Sequence, residues 1–246
     1  MPLLVNSVML LMLLYIFYKL RAAHLLLYDL RDQSRSDHTS LFRQLEALQG
    51  LYAELGLRNS LPPTRGWAAS PDFLLELTRH ARSARPLTVV ECSSGISTVV
   101  LARCMQLNGI GKVLSLEHDP HFAAQTRDQL RRHNLQDWAE VLDAPLEPHL
   151  WGDESWPWYS LNLLPQRVQI DMLVIDGPPQ ATRTQARYPA GPMLFRRLAA
   201  EATVFLDDAA RADELAILER WREEFPSLQQ SARACEKGCA VLTKSI

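Results

Sequence analysis

Five carboxylates stand where an α/β chain could put them to chemical use. Glu91 closes the run Thr88-Val89-Val90 and opens the small-residue stretch Cys92-Ser93-Ser94-Gly95. Glu117 closes Lys112 to Glu117 (KVLSLE), Asp176 follows Ile170 to Ile175 (IDMLVI) in DGPP, and Asp207-Asp208 follow Ala202 to Leu206 in FLDDA. A carboxylate at a strand end accepts hydrogen bonds from an ammonium, a pair of hydroxyls or backbone N–H groups, or holds a hard cation through oxygen. Beside a loop with one glycine, Glu91 would repel a pyrophosphate. A GxGxxG dinucleotide cradle is therefore disfavoured and a cofactor carrying positive charge is favoured. Glu117 is placed to accept both hydroxyls of a ribose, at about 1.5–3 kcal/mol for each charge-assisted bond. Asp176, Asp207 and Asp208, brought to one edge by neighbouring strands, would raise one another's pKa unless a cation joined them; a divalent ion bound by oxygen is one solution. In the other reading Asp207 caps the next helix and Asp176 alone meets ligand.

Those residues must be positioned by a scaffold. Leu87 to Val100 (LTVVECSSGISTVV) reads as strand, tight loop and helix, because β-branched residues give way to small ones and apolar residues then return at helical spacing through Val99, Leu101, Ala102 and Met105. Further strands are expected at Lys112 to Glu117, Ala139 to Asp143, Ile170 to Ile175 and Ala202 to Leu206. Helices are expected at Pro71 to Ala81, Pro120 to His133 and Asp213 to Glu224, with Ser70 and Asp119 as caps. Leu228 to Cys235 and Cys239 to Thr243, separated by Glu236-Lys237-Gly238, read as a closing hairpin. Neighbouring parallel strands deliver their C-terminal tips to one edge, where open α/β sheets bind ligands.

The stretch ECSSGIST resembles motif I of the class I S-adenosylmethionine (SAM)-dependent methyltransferases in the variant ExGSGxST, departing at Ser93, where the variant has glycine. If that position needs positive φ, serine costs about 1 kcal/mol. The resemblance covers roughly residues 61–246 and implies a Rossmann-like seven-stranded sheet with a C-terminal antiparallel hairpin. It implies a SAM site formed by Glu91, Ser93, Gly95, Ser97, Glu117 and His118, with Asp143 and Ala144 flanking the adenine. The acids resemble those of the catechol O-methyltransferase type, in which an acid and an Asp-Asn pair hold magnesium. On that resemblance Asp176, Asp207 and Asp208 are the candidate metal ligands, with Asp176 and Asp208 the candidate catalytic residues. Here the pair is Asp-Asp, and Gly177-Pro178-Pro179-Gln180 stand where that family has its lysine base.

At 246 residues with net charge −2, the chain suits one α/β domain with an extension and lacks the basic face of a nucleic-acid binder. The four cysteines, Cys92, Cys104, Cys235 and Cys239, form no zinc pattern and read as reduced thiols. Leu3 to Tyr18 is apolar apart from Asn6 and Ser7, slightly short of the roughly 20 residues of a membrane span. Lys19, Arg21 and Arg31 follow it and no basic residue precedes it, so residues 1–30 read as a single-pass inner-membrane anchor with the body in the cytoplasm. The alternative is a helix buried in an oligomer or against the domain. Leu41, Leu45, Leu48, Tyr52 and Leu55 suggest a stalk helix in 31–60, either self-associating or packed on the domain.

Trp151, Trp156, Trp158 and Tyr159, with Asp153 and Glu154, read as one loop that could face a sugar, form a lid or meet the membrane interface. Arg183, Arg187 and Tyr188 could neutralise an anionic acceptor, and Trp67 reads as a packing residue. The expectation is a membrane-tethered O-methyltransferase for a small-molecule or lipid-linked glycan acceptor. The rivals are a non-catalytic scaffold of the same fold and a nicotinamide-dependent dehydrogenase, the latter disfavoured by the loop composition.

Overall fold

The structure, a computed structural model, describes residues 2–64, 66, 68–151 and 154–244; Trp67 and Asp153 lie outside the described residues. The chain forms two units, Met1–Leu45 and Glu46–Ile246.

Helix α1 (Pro2–Leu55) is continuous. The polar stretch 31–40 does not interrupt it, because no glycine or proline occurs between residues 3 and 49 to break the hydrogen-bond ladder. It ends where Gly56, at φ 55°, donates its N–H to the Tyr52 carbonyl. In the first unit the large apolar side chains from Met9 to Leu30 are exposed, and the helix is long and apolar enough to cross a membrane. In the second unit Ala47, Leu51 and Leu55, at helical spacing, enter the core with Phe73 and Leu74. This buried line differs from the expected seam, since Leu41 and Leu45 are exposed.

The rest of the second unit alternates strand and helix: α2 (Pro71–Ala84), β1 (Thr88–Cys92), α3 (Ile96–Asn108), β2 (Lys112–Glu117), α4 (Pro120–Arg132) and β3 (Ala139–Asp143). A hairpin of β4 (Leu146–Trp151) and β5 (Glu154–Tyr159) follows, then β6 (Ile170–Ile175), the short α5 (Ala190–Leu194), β7 (Leu198–Asp207), α6 (Ala212–Glu224), β8 (Leu228–Arg233) and β9 (Cys239–Lys244). Seven strands form one sheet in the order β3-β2-β1-β6-β7-β9-β8, parallel from β3 to β7, with β9 antiparallel to both its neighbours. This is the seven-stranded sheet with a closing hairpin that the sequence predicts.

Alternation along the strands divides the core into two layers. Val89, Val113, Met172 and Val174 pack with α2, α3 and the end of α1; Val90, Leu116, Leu173 and Ile175 pack with the β4–β5 hairpin, Tyr188 and Trp221. Successive strands step outward in opposite directions from β1 and β6. The strand order reverses there, which in an open α/β sheet is where the ligand crevice lies, at the carboxyl ends of the strands.

Candidate active site

At the β1 tip the chain turns sharply and starts α3. Ser93 adopts φ 109°, the left-handed side of backbone space that favours glycine. Its N–H donates to the Leu116 carbonyl at 2.9 Å, and its carbonyl accepts from Ser115 Oγ at 2.6 Å. Glu91 lies wholly buried beneath this turn. Its Oε2 accepts from Thr98 Oγ1 at 2.6 Å and Ser115 Oγ at 3.0 Å, while Oε1 has no partner among the described residues. Burial pushes its pKa up to about 7, opposed by the hydrogen bonds of Thr98 and Ser115 and by the nearby Ser97. Glu91 thus braces the loop from below, with one carboxylate oxygen in reserve. Gly95 caps α3, and its N–H donates to Thr98 Oγ1 at 3.1 Å.

Glu117, at the β2 tip, is buried and draws the same loop toward it. Its Oε2 accepts from Ser94 N–H at 2.9 Å and Ser94 Oγ at 2.8 Å, and its Oε1 accepts from Asp119 N–H at 3.0 Å, with His118 Nδ1 at 3.1 Å. Burial alone would raise its pKa, but contact with His118 and the hydrogen bonds from Asp119 and Ser94 outweigh it and the pKa is lowered; His118 is raised in turn by Glu117. Ser94 Oγ also lies 3.0 Å from Thr126 Oγ1, a second partner for it if a ligand hydroxyl takes its place on Glu117. Asp143 points toward α4 and pairs with Arg127 at 2.7 Å, and the Ala144 N–H donates to the Glu117 carbonyl at 2.7 Å. Their backbone lies beside β2, but the Asp143 carboxylate is engaged elsewhere.

Across the crevice, oxygens of Asp176, Asp207 and Asp208 lie within 4.8 Å of one another. Arg187 stands among them, its side chain only 5% exposed. Nη2 reaches Asp208 Oδ2 at 2.7 Å, Asp176 Oδ1 at 3.2 Å and the Asp176 carbonyl at 3.0 Å; Nη1 donates to the Asp207 carbonyl at 2.8 Å. Nε lies 3.7 Å from Glu214 Oε1, and Asp208 Oδ1 pairs with Arg211 at 2.9 Å. Burial raises Asp176 to about 6 although Arg187 opposes it, and raises Asp207 well above its usual range, helped by repulsion from Asp176 and Asp208. Neither oxygen of Asp207 has a hydrogen-bond partner among the described residues.

Residues 90–209 match a family model described as a methyltransferase domain. Over these residues the chain is similar to that family, and its sheet order with the closing hairpin is that of the class I methyltransferase fold. Solved structures share its fold at low identity. An S-adenosylhomocysteine (SAH)-bound methyltransferase of Podospora anserina, PaMTH1, is 14% identical over 87% of this chain and 96% of its own, with a TM-score of 0.63. The O-methyltransferase TomG of Streptomyces achromogenes, in complex with SAM, is 15% identical over 82% and 89%, at 0.54. An O-methyltransferase of Bacillus cereus in complex with SAH is 19% identical over 82% and 90%, at 0.51. No curated protein matches the sequence.

The acid cluster meets the distance requirement for a divalent ion, but arginines already engage two of its three acids, leaving Asp207 and Asp176 Oδ2 outside those ion pairs. Both Asp208 oxygens are in ion pairs, and Asp176 Oδ1 shares Arg187 Nη2 with Asp208. A hard ion would need its oxygens at about 2.0–2.6 Å. A dication about 3.5 Å from the guanidinium would be repelled by on the order of 10 kcal/mol at an effective dielectric near 20. The charge of Arg187, rather than a shortage of free oxygens, is what opposes a dication here.

Other expected site residues of the domain take different places. Arg187, expected to face an anionic acceptor, is engaged by the acids. Arg183 turns to the hairpin, pairing with Glu154 at 2.7 Å and lying 3.6 Å over Trp156. Tyr188 is buried, and its hydroxyl donates to Glu224. The aromatic stretch is the β4–β5 hairpin rather than a loop, and Trp156, Trp158 and Tyr159 are buried in the core. The sequence reading grouped Tyr159 with the aromatic stretch and did not place its hydroxyl at the strand tips. A Cβ on Gly177 would lie 2.3 Å from Tyr159 Oη, 3.1 Å from Ser93 Cβ and 3.3 Å from the Cys92 carbonyl. The hydroxyl therefore reaches the meeting point of the β1 and β6 tips, with no partner among the described residues. Gly177, in the first position after Asp176, was the available signal: only glycine permits that approach.

Proposed function

We propose that the chain is a membrane-tethered, SAM-dependent O-methyltransferase. The observation that carries this reading is the pair of buried carboxylates, Glu91 and Glu117, held by one small-residue loop where the strand order reverses. The unpartnered Glu91 Oε1 and the exchangeable Ser94 hydroxyl on Glu117 fit an ammonium and a ribose respectively. When bound, SAM supplies an electrophilic methyl group on a sulfonium. Glu117 would hold the ribose hydroxyls, and Glu91 would offer the compensating charge under the loop. Asp176, its side chain 14% exposed against about 4% for Asp208, is the cluster member within reach of an acceptor, and takes the hydroxyl proton as the oxygen attacks. The Tyr159 hydroxyl donates to ligand at the β1–β6 junction. Holding the two reactants in line contributes the larger part of the rate.

The acceptor in this reading is a hydroxyl of an envelope glycan or lipid-linked intermediate. Residues 1–30 cross the inner membrane, and Lys19, Arg21 and Arg31 keep the domain on the cytoplasmic side. Leu41 and Leu45, exposed on α1, support self-association through this stretch.

Calorimetric titration of the full chain in detergent with SAH tests the cofactor assignment. Micromolar binding is expected; absence of binding would overturn it and favour a scaffold of the same fold. Deleting residues 1–30 should move the protein to the soluble fraction with SAH binding intact. A truncated chain that still sediments with membranes refutes the tether.

A further inference from the structure

We propose that Arg187 is the resident cation of the acid cluster, standing where a divalent ion would otherwise join the carboxylates, and that it positions Asp176 for the acceptor. The part that concerns the acceptor rests on the functional reading above.

The placement of Arg187 carries the proposal. A guanidinium is always charged and presents a planar fork of donors, so it can bridge several carboxylates as a metal does, though only from a fixed direction. Arg187 does so from inside the fold. Its Nη1 and Nη2 are held by the carbonyls of Asp207 and Asp176, the last residue of β7 and the first after β6, so its position is set by the sheet itself. The same Nη2 then bridges the carboxylates of Asp176 and Asp208. Withdrawing the side chain would leave two backbone acceptors, the buried Asp208 and the largely buried Asp176 without it, so it is not a mobile arm that a metal could displace at little cost.

The arginine and the acids reach the site from different elements. Arg187 comes from the segment between β6 and α5, which is anchored independently: Ala190 N–H donates to the Arg187 carbonyl at 3.1 Å, and Trp221 Nε1 donates to the Tyr188 carbonyl at 3.1 Å. Glu214, on α6, faces the third nitrogen of the guanidinium. The cation is thus fixed from three directions, and Asp176 keeps one oxygen, Oδ2, outside these ion pairs. That oxygen is the one left to take a proton. Arg187 acts through Asp176 and does not itself touch acceptor, which makes it a positioning residue.

The test is a manganese titration of the full chain in detergent, read by electron paramagnetic resonance, on the wild type and on Arg187→Ala and Arg187→Met, with SAH calorimetry on the same samples. The wild type should hold no stoichiometric Mn²⁺ at micromolar concentration. Removing the guanidinium should create one site per chain, tighter than any wild-type binding by at least about tenfold. Arg187→Met keeps much of the side-chain volume should the alanine variant fail to fold, and the wild-type titration stands without either. One Mn²⁺ per chain at micromolar affinity in the wild type would overturn the proposal, as would folded variants that gain no site. Loss of SAH binding in the wild type would instead strike the functional reading, since that titration does not depend on the cluster.

Discussion

The two sides of the crevice solve the same problem differently. At the β1 and β2 tips, Glu91 and Glu117 are buried and held mainly by neutral donors, the hydroxyls of Thr98, Ser115 and Ser94 and the N–H groups of Ser94 and Asp119, with His118 beside Glu117 and Glu91 Oε1 left unpartnered. At the β6 and β7 tips, Asp176 and Asp208 are satisfied by a fixed guanidinium. Hydroxyl donors can be exchanged for those of a ligand at small net cost, because one hydrogen bond replaces another. A buried guanidinium cannot be exchanged so, since its removal leaves charge uncompensated. The first side has donors that a ligand's can replace, whereas the second carries its own cation, with Asp207 left unpartnered beside it.

The sharpest way to break this contrast is to remove the cation. Arg187→Ala should destabilise the protein by about 3–5 kcal/mol, measured by denaturant titration without added metal. A loss below about 1 kcal/mol would mean that the acids are balanced by their own protonation rather than by the guanidinium.

Glu91 tests the other side through pH. Its carboxyl is raised from 4.5 to about 7 in the folded protein, so the native state retains a proton that the unfolded chain has released. Stability is therefore greatest below about pH 4.5 with respect to this group and declines as pH rises through about 7, by up to about 3 kcal/mol. Glu91→Gln should flatten that decline, raising the melting temperature of the cofactor-free protein at pH 8 far more than at pH 5. An equal shift at both pH values would show that Glu91 is ionised in the fold. Glu117→Ala is a smaller perturbation of folding but a direct one of binding: SAH affinity should fall by one to two orders of magnitude, about 1.4–2.8 kcal/mol, in calorimetry. Unchanged affinity would place the ribose elsewhere.

Much of this arrangement is legible in the sequence because buried parallel strands are short apolar runs, and here the key ones end in an acid: VVE, KVLSLE, IDMLVI-D and FLD. The same runs give the sheet and the tip residues together. What was hidden has physical causes. The β4–β5 hairpin carries Pro148 and Pro157 directly opposite one another, and proline argues against a strand because it offers no N–H to the ladder. The continuity of α1 was obscured by its polar stretch, although composition alone does not end a helix. Asp143 was placed by resemblance, but the sequence does not show that Arg127, one helix away, holds it. For Arg187 the residue and its charge were legible, while its direction was not: a guanidinium eleven residues after Asp176 can overhang the edge or fold back under it, and only the anchoring of the α5 segment decides.

The least perturbing change bears on the loop that unites the two glutamates. Ser93 holds φ 109° where the resembling motif has glycine, and both of its hydrogen bonds, to the Leu116 carbonyl and from Ser115 Oγ, are made by its backbone. Ser93→Gly keeps both bonds and relieves the strain. It should stabilise the fold by about 1 kcal/mol at most, reduced by the extra freedom glycine gives the unfolded chain. The effect on SAH binding separates two accounts of the strain. If affinity rises with stability, the serine resists the loop geometry that ligand needs, and the exchange at Glu117 is coupled to it. If stability rises alone, the strain is the same with and without ligand, and the loop is already in its binding geometry before any ligand arrives.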